Sequence, residues 1–252
     1  MGRRKIAVIT LCTPDLNFGQ YSKENSTLYC NKNGYDFLFY ENLIDKEACP
    51  ICNKSAIVLE NIHKYDWIFM KDVDSLFYNF DKKLEDYIDE NYRYIGSCCK
   101  NGIDINLGHV LYKCDKRTEI ELSKVRDTIK ERISSKGEQG IYSKFWRKKR
   151  ISPPKYLKKN IFNASPIALP EWNKEFKYHV DYIKKNLKEE SFEAFSDVRE
   201  ETFIVHWMTN FLKTRILPGK VKFENVVFDL NDKQLSQFIE YHESIKEKWG
   251  YR

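Results

Sequence analysis

Residues 65–79 have the sequence YDWIFMKDVDSLFYN, in which an apolar run leads into two aspartates, Asp72 and Asp74. The run at residues 67–70, Trp-Ile-Phe-Met, is typical of a strand that is buried on both faces of a parallel sheet. Carboxylates at positions i and i+2 of an extended chain point to the same side, where they repel each other unless a positive charge lies between them. The stretch therefore predicts a buried strand that ends at a cation.

The segments around this stretch alternate between strand-like and helix-like patterns. Apolar runs at residues 6–11 and 37–40 predict strands, and residues 20–33 and 54–64 predict helices, the first of which ends at Gly34. Strand, helix, strand, helix, strand is the order of a parallel α/β sheet. Because ligands bind beyond the carboxyl ends of such strands, we expect residues 10–13, after the first strand, to lie beside the aspartate pair.

The second half of the chain predicts a continuation of the same architecture. Strands are predicted at residues 94–96, 106–112 and 203–206, and helices at residues 117–133, from residues 136–140 onward, at 171–188 and from residue 231 onward. No repeat or linker divides the chain. We therefore predict a single α/β domain with a mostly parallel, Rossmann-like sheet flanked by helices. Residues 1–218 would form its main body and residues 219–252 a peripheral helical segment.

Composition excludes several classes of protein. Of the 252 residues, 42% are hydrophobic and 15% aromatic, which is too apolar for a disordered chain. Neither GxGxxG nor GxxxxGKS/T occurs, which argues against dinucleotide and P-loop sites. No apolar run approaches the ~20 residues that span a bilayer, so we expect no membrane span. The seven cysteines show no disulfide framework and no signal peptide is evident, which together predict a cytoplasmic protein with reduced thiols.

The charges favour a divalent metal together with an anionic ligand. The net charge of +6 favours partners such as nucleotides, phosphates or nucleic acid. Mg²⁺ or Mn²⁺ commonly takes one or two carboxylates plus substrate phosphates. Asp72 and Asp74 could also be turn residues, since Asp favours turns, but the apolar strand before them favours the metal interpretation.

The motifs resemble those of one glycosyltransferase family in type and in order. The stretch YDWIFMKDVDSLF resembles the DxD segment of glycosyltransferases with the GT-A fold, and most of all the galactosyl- and xylosyltransferase family of plants and fungi (family 34). Further motifs that resemble it are PICNK at residues 50–54, INLGHVLY at 105–112, Glu138–Gln139 and FIVH at 203–206, so that the resemblance spans roughly residues 5–213. The chain departs from the family at Cys52, where Trp is usual, and at Thr209 and Asn210, where a glycine is usual.

The resemblance implies a role for each matching position. Asp72, Asp74 and His206 would bind Mn²⁺ or Mg²⁺, and Asp72 would also face the ribose. The donor would be a UDP- or GDP-sugar, the acceptor a glycan or glycoprotein, and the sugar would keep its configuration. The nucleotide would contact Thr10, Leu11, Cys12 and Lys54. Asn106 and Gly108 would border the donor sugar, and Glu138 and Gln139 would lie on the reacting face of that sugar.

The chemistry of sugar transfer suggests two further groups. Negative charge builds on the leaving diphosphate, so a second cation, Lys213 or Arg215, would stabilise it. An inverting enzyme would need a carboxylate base near the acceptor hydroxyl, for which Asp104 and Glu138 are the candidates.

Two other functions compete with sugar transfer. A metal-dependent nucleotidyl- or phosphotransferase could use the same carboxylate pair. A non-catalytic nucleic-acid-binding module could use the basic residues 147–150 with Trp146 and Tyr156, but such runs are more often solvated surface, so we do not expect nucleic acid as a partner. His206, taken alone, is more often a packed core histidine than a ligand.

Overall fold

The computed structural model describes residues 2, 4–13, 16–46, 53–98, 105–131, 137–164, 201–206 and 232–251. Within these ranges the strands are β1 (Ile6–Leu11), β2 (Asp36–Tyr40), β3 (Trp67–Lys71), β4 (Ser75–Phe77), β5 (Tyr94–Cys98), β6 (Ile105–Lys113), β7 (Lys155–Leu157) and β8 (Ile204–His206). The helices there are α1 (Gly19–Asn33), α2 (Lys54–Asn61), α3 (Lys116–Glu131), α4 (Gly137–Arg147), α5 (Lys159–Phe162) and α6 (Asp232–Lys248), with a 3₁₀ turn at Leu84–Tyr87.

The described strands form a six-stranded sheet in the order β2-β1-β3-β6-β5-β7 and a separate β4-β8 pair. Strands β2, β1 and β3 are parallel, as are β5 and β7, and β6 runs antiparallel to both of its neighbours. The predicted mostly parallel α/β sheet is therefore confirmed. In the register of β1 and β3, Ile9 lies opposite Met70, so the two strands end side by side at one edge of the sheet.

Alternate residues of β1 and β3 face two separate hydrophobic cores. One face contributes Val8 and Phe69 to an aromatic core that includes side chains of α1, α5 and α6. The other face contributes Ile9 and Met70 to a more aliphatic core with α2, α3 and α4. Burial on both faces explains why these strands are nearly continuous apolar runs rather than alternating ones.

Helix α1 contacts strand β4 through polar side chains as well as through the ring of Tyr29, which stacks on Phe77. Asn25 accepts a hydrogen bond from the main-chain N–H of Phe77 at 2.7 Å and donates one to its carbonyl at 3.1 Å. Ser22 donates to the carbonyl of Ser75 at 3.3 Å. These side chains pair with the edge of β4 in the way that a further strand would, which is why a helix rich in Ser and Asn is buried here.

The predicted elements agree with the observed ones to within a few residues at their ends. The predicted helix at residues 171–188 lies outside the described residues, and so does the predicted boundary between residues 218 and 219. Helix α6 places Phe238 and Ile245 in the aromatic core, where the Phe238 ring lies 5.7 Å from that of Phe18. No helix in the described ranges is long and apolar enough to cross a membrane.

Candidate metal and donor site

Two aspartates and a histidine meet at the carboxyl end of β3. Asp72 and Asp74 follow the strand directly, and the antiparallel β4-β8 pairing places His206 opposite Ser75. One potential ligand atom from each of Asp72, Asp74 and His206 lies within 4.8 Å of the other two. Two carboxylate oxygens and an imidazole nitrogen at this separation form a donor set that a divalent cation can bind.

The His206 ring is held in one orientation by both of its nitrogens. Nε2 lies 3.2 Å from Asp74 Oδ1, and Nδ1 lies 2.7 Å from Asn163 Oδ1. Because an amide oxygen only accepts, Nδ1 carries the proton of this hydrogen bond. Nε2 is thereby the atom turned toward the carboxylates, as metal-binding histidines require. Sequence reasoning missed Asn163, and no motif around residues 160–164 marks it.

A lysine from α2 lies directly on the first aspartate. Lys54 Nζ is 2.6 Å from Asp72 Oδ1, and the two side chains are 16% and 27% exposed. Burial alone would lower the pKa of Lys54, but the charge and the hydrogen bond of Asp72, together with the charges of Glu138 and Asp74, outweigh it and the pKa is raised. The ammonium therefore stays charged beside the carboxylate.

A second lysine, Lys71, lies beneath the same turn and is completely buried. Burial lowers its pKa to about 7, while the charges of Asp74 and Asp72 act in the opposite direction. Lys54 thus places a positive charge beside the aspartate pair, and Lys71 places a second one beneath the turn when it is protonated.

Strand β6 lines the other side of Asp72. The main-chain N–H of Asp72 donates to the carbonyl of Gly108 at 2.8 Å, and the N–H of Gly108 donates to Asn106 Oδ1 at 2.7 Å. A Cβ atom at position 108 would collide with the Asp72 carboxylate, so only glycine fits here without a shift. Asn106 and Gly108 therefore lie beside Asp72, and their contact with the donor sugar stays a prediction.

Glu138 is buried and bound to the start of α2. Its Oε1 accepts hydrogen bonds from the N–H and the hydroxyl of Ser55, so the carboxylate caps the N-terminus of that helix. Burial raises the pKa of Glu138 to about 6, and the hydrogen bonds from Ser55 and the charge of Lys54 only partly offset this. Glu138 thus touches the helix that carries Lys54, while Gln139 beside it is half-buried.

The other predicted positions are either at the same edge of the sheet or outside the described residues. Thr10 and Leu11 end β1 next to β3 and Cys12 follows the strand, with Thr10 and Cys12 buried. Asp104, Lys213 and Arg215 lie outside the described residues. In the basic run at 147–150 all four side chains are exposed, but Trp146 is partly buried against Tyr142, which lies 5.3 Å from it between ring centres.

One model of a known protein family matches part of the chain. Residues 8–116, somewhat less than half of the chain, match the model of the galactosyl transferase GMA12/MNN10 family. The matched segment contains Lys54, Asp72, Asp74, Asn106 and Gly108, whereas Glu138 and His206 lie beyond it. No curated protein sequence matches the chain.

Solved glycosyltransferases share the fold over nearly the whole chain. One is an enzyme involved in the glycosylation of the major capsid of PBCV-1, with a TM-score of 0.57, 16% identity and 96% of this chain and 99% of that chain covered. Another is GlyE of Streptococcus pneumoniae, with a TM-score of 0.56 and 13% identity over 98% of this chain, which spans 63% of GlyE. A third, the bifunctional WbbM, has a TM-score of 0.57 and 13% identity over 98% of this chain, which spans 52% of WbbM. These likenesses establish the GT-A fold.

Proposed function

We propose, from the premise that the chain is a glycosyltransferase with the GT-A fold, that it moves a sugar from a nucleotide-diphosphate sugar to a glycan or glycoprotein in a cation-dependent reaction. The observation that carries the proposal is the meeting of Asp72, Asp74 and His206 at the carboxyl end of β3. In α/β sheets that edge is where ligands bind.

The residues present fit a divalent cation. Carboxylate oxygens are the ligands that Mn²⁺ and Mg²⁺ prefer, and the imidazole, with Nε2 turned inward by Asn163, favours Mn²⁺ of the two. When bound, the cation would supply positive charge to the leaving diphosphate without a proton transfer.

Further residues of the chain are placed to bind the donor. Lys54 is charged, partly exposed and next to Asp72, so it is placed to contact an anionic donor. The absence of a side chain at Gly108 keeps the Asp72 carboxylate in place, and Asn106 braces that glycine. We further propose that Thr10, Leu11, Cys12 and Lys213 bind the nucleotide.

For the reacting face we propose Gln139, with Asp104 as a base only if the reaction inverts. The burial of Glu138 and its bonds to Ser55 support a role in holding α2, and through it Lys54, rather than direct contact with the acceptor. Retention of configuration, implied by the resemblance, requires no such base.

A panel of UDP- and GDP-sugars tests the function. The purified protein is incubated with each donor and with MnCl₂, MgCl₂ or EDTA, and both the released nucleotide and the released sugar are measured. We expect nucleoside diphosphate to appear with one donor and only in the presence of a cation. Release of nucleoside monophosphate or pyrophosphate would instead identify a phospho- or nucleotidyltransferase. Equal release in EDTA would remove the cation from the proposal.

We also propose a reducing, cytoplasmic environment for the protein. Cys30 and Cys114 lie outside any disulfide. Titration of the denatured, non-reduced protein should count all seven thiols of the sequence. A count lower by two or more would place the protein in an oxidising compartment.

A further inference from the structure

Lys71 closes strand β3 at a position where an apolar side chain would be expected. It is 0% exposed, and each of the four residues before it in β3 is apolar and buried. Burying an ammonium group is costly unless acceptors and negative charges compensate it. The proposed sugar transfer assigns no role to this lysine, so its presence in the interior needs another reason.

The ammonium group of Lys71 joins three segments of the chain. Nζ donates to Ser22 Oγ of α1 at 2.9 Å, to the carbonyl of Asp72 at 3.3 Å and to the carbonyl of Ser75 at 2.5 Å. An ammonium group has three protons, and here each finds an oxygen. The two carbonyls flank Asp74, so Lys71 fastens both ends of the aspartate turn to α1.

A second layer of hydrogen bonds continues from this turn toward His206. The Ser75 hydroxyl donates to the carbonyl of Asp72 at 2.6 Å, so it accepts from Nε2–H of His109, 2.8 Å away. The His109 ring packs edge-on against His206 with 4.7 Å between ring centres. The groups behind the three proposed ligands are thus connected to Lys71.

We propose that Lys71 is a positioning residue, an internal counter-cation that holds the Asp72–Asp74 turn in its cation-binding shape before any cation arrives. Its hydrogen bonds go to a hydroxyl and two main-chain oxygens and not to a carboxylate, in contrast to those of Lys54. It therefore offsets the repulsion of the two aspartates without taking the place of a metal. The idea rests on the site of the proposed function, but its test needs neither metal nor turnover, so the two can fail separately.

A double-mutant cycle between Lys71→Met and Asp74→Asn tests the charge role. Urea unfolding of the wild type, both single variants and the double variant is followed in EDTA, which removes bound cations. We expect Lys71→Met to lower the folding equilibrium constant strongly in the wild type and at least fivefold less in the Asp74→Asn background, where the repulsion is gone. Additive effects of the two changes would overturn the proposal.

Two further variants separate charge from hydrogen bonding. Ser22→Ala removes a neutral partner of Lys71 and keeps the charge. Its effect on the folding equilibrium constant should therefore be the same in the wild type and in the Asp74→Asn background. Lys71→Gln keeps donors for the two carbonyls without the charge, and it should couple to Asp74→Asn as Lys71→Met does. If Lys71→Met couples to Asp74→Asn and Lys71→Gln does not, the role of Lys71 is to hydrogen-bond the two carbonyls and not to supply charge.

The cycle remains decisive where a variant does not fold. If Lys71→Met is unfolded and the double variant is folded, the rescue is the expected coupling in its strongest form. If neither Lys71→Met nor Lys71→Gln folds even with Asp74→Asn, then relief of the repulsion does not replace the lysine, and the counter-cation proposal is overturned.

Discussion

The aspartates and the histidine of the site come from regions that are organised over very different distances along the chain. Asp72 and Asp74 are placed by the end of a single strand, within a few residues of Trp67. His206 reaches Asp74 only through the β4-β8 pairing, across 132 residues. The local half of the site can be inferred from a short pattern, whereas the distant half depends on the packing of the whole aromatic core.

The two faces of the sheet repeat this contrast. On the face of α2 to α4, helix α2 brings Lys54 to Asp72, and helix α4 brings Glu138 to the start of α2. On the face of α1 and α6, helix α6 completes the aromatic core. Lys71 of β3 and His206 of β8 lie on this face. Disturbing one face should therefore affect the proposed donor contacts, and disturbing the other should affect the proposed metal ligands and stability.

The largest effect is expected for Asp74→Asn. If Asp74 holds the cation, turnover should fall by about 10³-fold, since a metal supplies several kcal/mol of charge stabilisation and each ~1.4 kcal/mol is tenfold in rate. Folding should survive, because relief of the repulsion with Asp72 offsets the lost attraction to Lys71. Initial rates and circular dichroism measure both effects. Asp81→Asn, at an exposed carboxylate paired with Lys32, is the matched control. Wild-type turnover of Asp74→Asn would refute the metal role of this residue.

Phe238→Ala tests how far the distant helix α6 supports the fold. The Phe238 side chain is fully buried against Phe18, so its truncation should cost about 3 kcal/mol or more in unfolding free energy. Chemical denaturation measures the cost, and Ile120→Ala, at an exposed position of α3, should stay within about 0.5 kcal/mol of the wild type. A small loss for Phe238→Ala would mean that α6 is a peripheral attachment, as the sequence predicted for the C-terminal segment.

The sequence predicts the parts of the molecule that depend on short-range patterns. The strands β1 and β3, the helices after them and the aspartate pair follow from apolar runs and spacing. His206 was assigned through the family resemblance, since an isolated histidine in an apolar strand indicates nothing specific. Asn163 could not be predicted, because it touches His206 only after β8 has packed beside residue 164. The fit of the polar helix α1 against β4 likewise depends on tertiary contacts that no periodicity records.

Glu138→Gln tests whether the buried charge of Glu138 destabilises the face of α2 to α4. Because burial raises the pKa of Glu138 from 4.5 to about 6, the folded state prefers the protonated acid. The contribution of Glu138 to stability is therefore greatest below pH 4.5 and falls as the pH rises through 6, by about 2 kcal/mol in total. Gln keeps an acceptor for Ser55 and carries no charge, so the variant should equal the wild type near pH 4 and exceed it by about 2 kcal/mol at pH 7.5. Urea unfolding at both pH values measures this, with the exposed Glu247→Gln as baseline.

A Glu138→Gln variant that is less stable than the wild type at pH 7.5 would contradict this expectation. It would mean that the ionised carboxylate stabilises the start of α2 through its hydrogen bonds and through Lys54 by more than its burial costs. In that case the face of α2 to α4 would resemble the face of α1 and α6, where the buried Lys71 lies near the opposite charges of Asp72 and Asp74.

The smallest effect is expected for Asn163→Ala, which acts on the proposed metal ligands only through His206. Without the 2.7 Å hydrogen bond, the proton of the His206 ring is no longer held on Nδ1. Nε2 is then no longer fixed as the unprotonated nitrogen that faces the aspartates. Such partners of metal-binding histidines typically contribute tenfold to a hundredfold in metal affinity. We expect about tenfold here, because the contact of Nε2 with Asp74 still restrains the ring. Calorimetric titration with MnCl₂ measures the change. Asn163→Asp keeps an acceptor for Nδ1–H and should bind Mn²⁺ at least as well as the wild type, whereas equal weakening by Ala and Asp would assign Asn163 to packing alone.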